Sequence, residues 1–120
     1  MTNDHTRNEA KLPQHGLIAY EAARQLAAAV IKANIRDPKL REQAHDAAKS
    51  VCLNVCEGAG QWSAGRKRNA YEIARGEACE AAGCVETACL FGCAEPGSDI
   101  EVNRIASWVV ALLSPLARKR

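Results

Sequence analysis

Three breaks divide this chain, and the apolar residues between them recur at helical spacing. The breaks are Asp37-Pro38, the Gly58–Gly65 stretch around Trp62 and Ser63, and Pro96-Gly97-Ser98-Asp99. No segment alternates apolar and polar residues as a half-buried strand does. The pattern predicts an all-α protein: an antiparallel up-down-up-down four-helix bundle, since short connections make successive helices antiparallel neighbours.

The expected helices run roughly Gly16–Ile35, Pro38–Gly58, Ala64–Ala94 and Asp99–Ala117. In the first, Leu17, Tyr20, Ala23, Ala27, Val30, Ile31 and Asn34 are expected near one face. The second should bury Leu40, Ala44, Ala47 or Ala48, Val51, Cys52 and Val55. The third has a main stripe of Tyr71, Ala74, Ala78, Ala82, Val85 and Cys89, and a second stripe of Ile73, Cys84, Ala88 and Phe91. Ser98 or Asp99 is the expected N-cap of the fourth. That helix is apolar around most of its circumference, whereas a bundle helix needs one stripe; with the second stripe of the third helix, it predicts a subunit interface. Gly76, Gly83 and Gly92 interrupt the helical pattern and are expected at close helix contacts.

With 120 residues there is room for one domain, 15–120, behind a polar, flexible tail of 1–14. Apolar residues make up 48% but aromatics only 4%, so the core must be built of small side chains. The polar start lacks an apolar signal segment. The longest apolar run, Ile105–Ala117, falls short of the roughly 20 residues a bilayer requires. The expectation is a soluble, cytoplasmic protein without a membrane partner, whose six cysteines stay reduced.

Ser50-Val-Cys-Leu-Asn-Val-Cys-Glu-Gly58 resembles the Ser-Ile-Pro-x-Asn-Ile-Ala-Glu-Gly motif of the bacterial 23S ribosomal RNA intervening-sequence proteins. Tyr71-Glu-Ile-Ala-Arg-Gly76 is similar to that family's Leu-x-Ile-Ala-Arg-Gly-Ser, and Glu80 matches a Glu that follows it. The resemblance covers roughly Leu17–Leu113. It implies a four-helix bundle that assembles as a homopentamer and has no established enzymatic activity. The family's relatives include retroelement accessory proteins that bind nucleic acid and a reverse transcriptase. Cys52 stands where the family has Pro, Cys56 where it has Ala, and Glu77 where it has Ser; without the Pro, the second helix should be straighter. Asn54, Glu57, Gly58, Tyr71, Arg75 and Gly76 fall on the motif positions. Asn54, Glu57 and Arg75 are expected to form a polar cluster at one end of the second and third helices, with Glu57 pairing Arg75; a ligand or RNA contact is the other reading.

The bundle topology gathers Arg7, Lys11, Arg66, Lys67, Arg68, Arg118, Lys119 and Arg120 at one pole. Cations at a helix C-terminus need no further explanation, but Arg66-Lys67-Arg68 begin a helix, where the macrodipole disfavours them. Arg66, Lys67, Arg68, Arg118, Lys119 and Arg120 are therefore candidate contacts to RNA, DNA or an acidic protein; the alternative is a solvated end. No ribonucleoprotein aromatic pattern, KH-type loop or zinc finger is present, so binding would be directed at phosphates.

Cys52, Cys56 and Cys79 are candidate ligands for a soft ion such as Cu(I) or Zn, because folding the third helix back on the second brings Cys79 to the level of Cys52. Packing is the alternative, since cysteine behaves as a small buried apolar residue. No resident cofactor is expected. No paired-carboxylate, Ser-His or Glu-x-x-His pattern points to an enzyme.

Overall fold

The computed structural model describes residues 11–118. A short 3-10 turn, Pro13–Gly16, precedes four helices: α1 (Ile18–Lys32), α2 (Pro38–Gly60), α3 (Ala64–Leu90) and α4 (Ser98–Arg118). Sequential helices pack on one another, and α1 closes the square against α4. Of the two diagonals, α1 and α3 touch slightly and α2 and α4 do not. The fold is an all-α four-helix bundle. The expected tail holds residues outside the described range, but its last part enters the 3-10 turn, which contacts α1 and α2.

Local chemistry sets the helix ends. Asp37 is extended and accepts from the Leu40 amide at 2.9 Å, with Pro38 in the first turn of α2. Ser63 caps α3 by accepting from the Arg66 amide at 3.3 Å. At the other end of α3, Gly92 takes φ +72°, and the Cys93 amide donates back to Ala88 O at 2.9 Å. Such a left-handed C-terminal residue is what glycine supplies without strain. Gly92 is thus a helix stop and not a mid-helix contact. At the same pole the Arg36 amide donates to Cys93 O at 2.7 Å and the Glu95 amide to Ala33 O at 2.9 Å, tying the α1–α2 and α3–α4 connections together.

The core is narrow because it is built of alanine. Ala22, Ala23, Ala44, Ala74, Ala78 and Ala81 are fully buried, around Leu26, Val30, Val51, Val55, Val85, Val109 and Leu113. Among the described residues, Tyr71 is the one aromatic buried in it, with Tyr20 packed against its edge. On α1 the buried line is Ala19, Ala22, Ala23, Leu26, Ala29 and Val30, so Leu26 belongs to the core while Ile31 points outward. Asn34, expected on the buried face, lies beyond the helix with φ +49°. The second stripe of α3 splits: Cys84 and Ala88 are buried in the bundle, whereas Ile73 and Phe91 are exposed. The stripe is therefore not one continuous interface.

Two hydrogen bonds set the register of α3 against α4. Arg75 Nε donates to Ser114 Oγ at 2.8 Å, and Asn103 Nδ2 donates to Glu86 Oε2 at 2.8 Å. Numbers rise along α3 as they fall along α4. The α4 helix begins at Ser98 itself, with Asp99 and Glu101 in its first turn. Among the described residues, α4 is long and apolar enough by length and composition to cross a bilayer, which corrects the expectation drawn from Ile105–Ala117. Its inward line, Val102, Ile105, Ala106, Val109 and Leu113, is buried in the bundle.

Candidate nucleic-acid interface

The α2–α3 corner carries most of the residues singled out in the sequence. Gly58 lies in the last turns of α2, against the Tyr71 ring. A Cβ on Gly58 would stand 2.6 Å from Tyr71 Cε1, 2.8 Å from Cζ and 2.9 Å from Cδ1. Tyr71 is only 5% exposed, and burial pushes its hydroxyl pKa up. This glycine, and not Gly76 or Gly83, marks the close helix contact: a Cβ on either of those would meet nothing within 4 Å.

The expected polar cluster does not form. Asn54 donates within α2, to Ser50 O at 2.9 Å and Ser50 Oγ at 3.0 Å. Glu57 accepts from Nε2 of Gln61, the residue just past the end of α2, at 2.9 Å. Arg75 reaches across to α4 at Ser114 instead of pairing Glu57. The reason is azimuth: α3 turns Tyr71 toward α2, and Arg75 leans to its other flank. The motif is mainly a packing device, with Gly58 and Tyr71 at its centre.

The basic residues divide by role. Lys67 is half-buried, and its Nζ donates to Gly58 O at 2.9 Å and Ala59 O at 3.3 Å. These are orphan carbonyls at the end of α2, where the macrodipole is negative. A cation in the first turn of α3 is therefore accounted for by the neighbouring helix end, which a reading of α3 alone does not reveal. Arg66 is exposed and Arg68 half-buried. Continuing the α3–α4 register by one turn brings exposed Arg118 level with Tyr71, toward the same corner. Arg7, Lys119 and Arg120 lie outside the described residues, while Lys11 is exposed ahead of the 3-10 turn. Between Gly58 and Tyr71 the chain carries Arg66, Lys67 and Arg68 and no acid.

Trp62, in the turn between α2 and α3, is 99% exposed at this corner.

The thiols do not converge. All six cysteines are free. Cys52 Sγ donates to Ala23 O of α1 at 3.5 Å, so its stripe faces α1, while Cys79 is exposed on α3. Matching level without matching azimuth leaves Cys52, Cys56 and Cys79 apart, and among the described residues no group of three His, Cys, Asp or Glu side chains is placed to hold a metal. Burial raises the Cys52 and Cys56 pKa values; Cys56 adds to the rise at Cys52, whereas a Tyr20 hydrogen bond lowers Cys56. Burial, helped by the Glu80 carboxylate, also raises Cys84. Protonated, packed thiols are poor soft-metal ligands and poor nucleophiles.

No curated protein matches the chain. The family model described as 23S rRNA-intervening sequence protein matches residues 15–112, nearly the whole described bundle. With the motif residues at the α2–α3 corner and the four-helix architecture, that match places the chain in the 23S rRNA-intervening sequence protein family.

Proposed function

We propose that this protein is a non-enzymatic, cytoplasmic, homo-oligomeric scaffold, pentameric as the family resemblance implies, whose basic pole binds the phosphate backbone of RNA or DNA. The observation that carries the reading is the α2–α3 corner: exposed Arg66, with Arg68 beside it and Arg118 approaching from α4, in a stretch without acids. Self-association is supported by the apolar surface that one chain leaves open. Leu90, Phe91 and Ile100 are 82%, 75% and 73% exposed around the α3–α4 connection, and Trp108 of α4 is 37% exposed. Leu90, Phe91 and Ile100 flank one connection, and exposed apolar residues that lie together mark interaction surfaces. A ring of chains would repeat the basic corner and add its fields.

The test is titration of a labelled RNA with the wild type and with Arg66→Glu/Arg118→Glu, at ionic strengths from about 50 to 200 mM, where phosphate contacts lose affinity steeply. Lys67 is left intact because it caps α2. The expected result is salt-dependent binding that the double variant loses while native mass spectrometry shows unchanged assembly. Equal binding by the variant would rule out the basic corner, and a monomer in native mass spectrometry would rule out the scaffold. If an acidic protein and not nucleic acid is the partner, RNA binding is absent in the wild type.

A further inference from the structure

We infer that Trp62 is a stacking platform for an unpaired nucleobase, so that the basic corner takes single-stranded nucleic acid in preference to duplex. This rests on the phosphate-binding reading above and adds the class of substrate.

Tryptophan is ordinarily a well-covered side chain. Here it is 99% exposed on the connection between the two longest helices. A loose loop would account for such exposure, but this connection is held from both sides. The Gln61 amide donates to Gly58 O at 3.4 Å, and the Gln61 side chain donates to Glu57 at 2.9 Å. Ser63 caps the Arg66 amide, and the Lys67 amide donates to Ser63 O at 3.0 Å. The Lys67 side chain clamps the end of α2 to the start of α3. Gln61 and Ser63 are both extended, so Trp62 is carried clear of either helix. The backbone on either side of Trp62 is held in place, and the ring itself stands in solvent.

Its surroundings say which partner fits. Arg66 follows four residues later and is exposed. An exposed aromatic on the connection and an exposed cation in the first turn of the helix that follows offer the two contacts one nucleotide needs: the ring stacks on the base while the guanidinium takes the phosphate. Every base has a π-face, so the contact is sequence-tolerant, in keeping with the absence of base-reading motifs. Within a duplex the base faces are already stacked, and the ring has nothing to cover. The flanking Gly60, Gln61, Ser63 and Gly65 add no apolar surface, so the tip lacks the several large side chains that insertion into a lipid surface uses.

The experiment uses the full chain with a 15-nucleotide oligouridylate, an RNA duplex of the same length, and anionic phosphatidylserine vesicles, all at low salt. The expected result is tighter binding of the single strand than of the duplex, with quenching of emission that is lost in Trp62→Phe. Trp62→Ala should weaken the single strand about 5- to 100-fold, Trp62→Phe should retain most of the affinity, and neither should move duplex affinity by more than about twofold. Arg66→Gln should weaken both nucleic acids and flatten the salt slope. Single-strand affinity unchanged in Trp62→Ala overturns the inference but leaves the phosphate-binding reading standing. Equal wild-type affinity for strand and duplex does the same. Binding of neither nucleic acid overturns both. A blue shift of Trp62 emission on vesicles, without an RNA effect, replaces the proposed partner with a membrane.

Discussion

Replacing Gly58 with alanine sets two known effects against each other. Helix propensity alone favours the change by up to about 1 kcal/mol, since glycine wastes backbone entropy in a helix. Packing opposes it. The new methyl would lie within 3.0 Å of Tyr71 Cε1, Cζ and Cδ1. That ring is 5% exposed and enclosed by the core, so it cannot swing to solvent. Overpacking of this kind costs about 1–3 kcal/mol, and Gly58 lies near the end of α2, where the propensity gain is smallest. The balance is a loss of about 1 kcal/mol, or about 4 °C in Tm for a domain of this size. Gly76→Ala is the matched control. It also lies within a helix, but its Cβ meets nothing within 4 Å. There propensity acts alone and should raise stability by about 0.5–1 kcal/mol. Both variants are compared with wild type by thermal and urea unfolding followed by circular dichroism, at one protomer concentration because association makes Tm concentration-dependent. Tyr71→Leu removes the offending ring atoms, so Gly58→Ala should cost less in that background, giving a measurable coupling. A Gly58→Ala protein stabilised as much as Gly76→Ala would refute the close contact. A loss at Gly76→Ala would show that another surface covers the outer face of α3.

Other changes test separate features. Asp37→Ala removes the cap on the Leu40 amide and should cost about 1 kcal/mol, read as a lower urea midpoint with an unchanged slope. Burial, helped by the Glu80 carboxylate, holds the Glu77 pKa above the usual carboxylate range. The folded state therefore binds that proton more tightly than the unfolded chain, and stability falls as pH rises from the unfolded to the folded pKa. Glu77→Gln should accordingly raise the urea midpoint at pH 7, with the gain shrinking as pH is lowered through the carboxylate range; a gain independent of pH would contradict this. Limited alkylation at pH 8, read by peptide mass spectrometry, should label exposed Cys79 first and Cys84 last, because Cys84 is 9% exposed and its pKa is raised by burial and by Glu80. Uniform labelling would mean that the bundle opens faster than the reagent reacts.

The helices and their breaks were legible because their causes are local. Asp37-Pro38, Ser63 and the Pro96-Gly97 turn act through the backbone within a few residues, and each stands where a helix begins or ends. The two motifs were legible as well, and they led to the family that the match over 15–112 establishes. Trp62 could have been found from its neighbours, a lone aromatic among glycines and polar residues followed by cations, but its exposure could not.

What required the tertiary structure was azimuth and company. Successive helical residues differ by about 100° in direction, so an error of one position moves a side chain from core to solvent. Ile31 and Leu26 traded places for this reason, and so did the two halves of the second α3 stripe. Cys79 lies near the level of Cys52 yet faces elsewhere, and Arg75 turns to Ser114 instead of Glu57. Lys67 looks misplaced at a helix start until the end of α2 lies beside it. By itself the sequence determined where the chain helices start and stop, through short-range backbone chemistry; only the packed bundle decided which side chains meet, because that depends on the rotation of each helix against its neighbours.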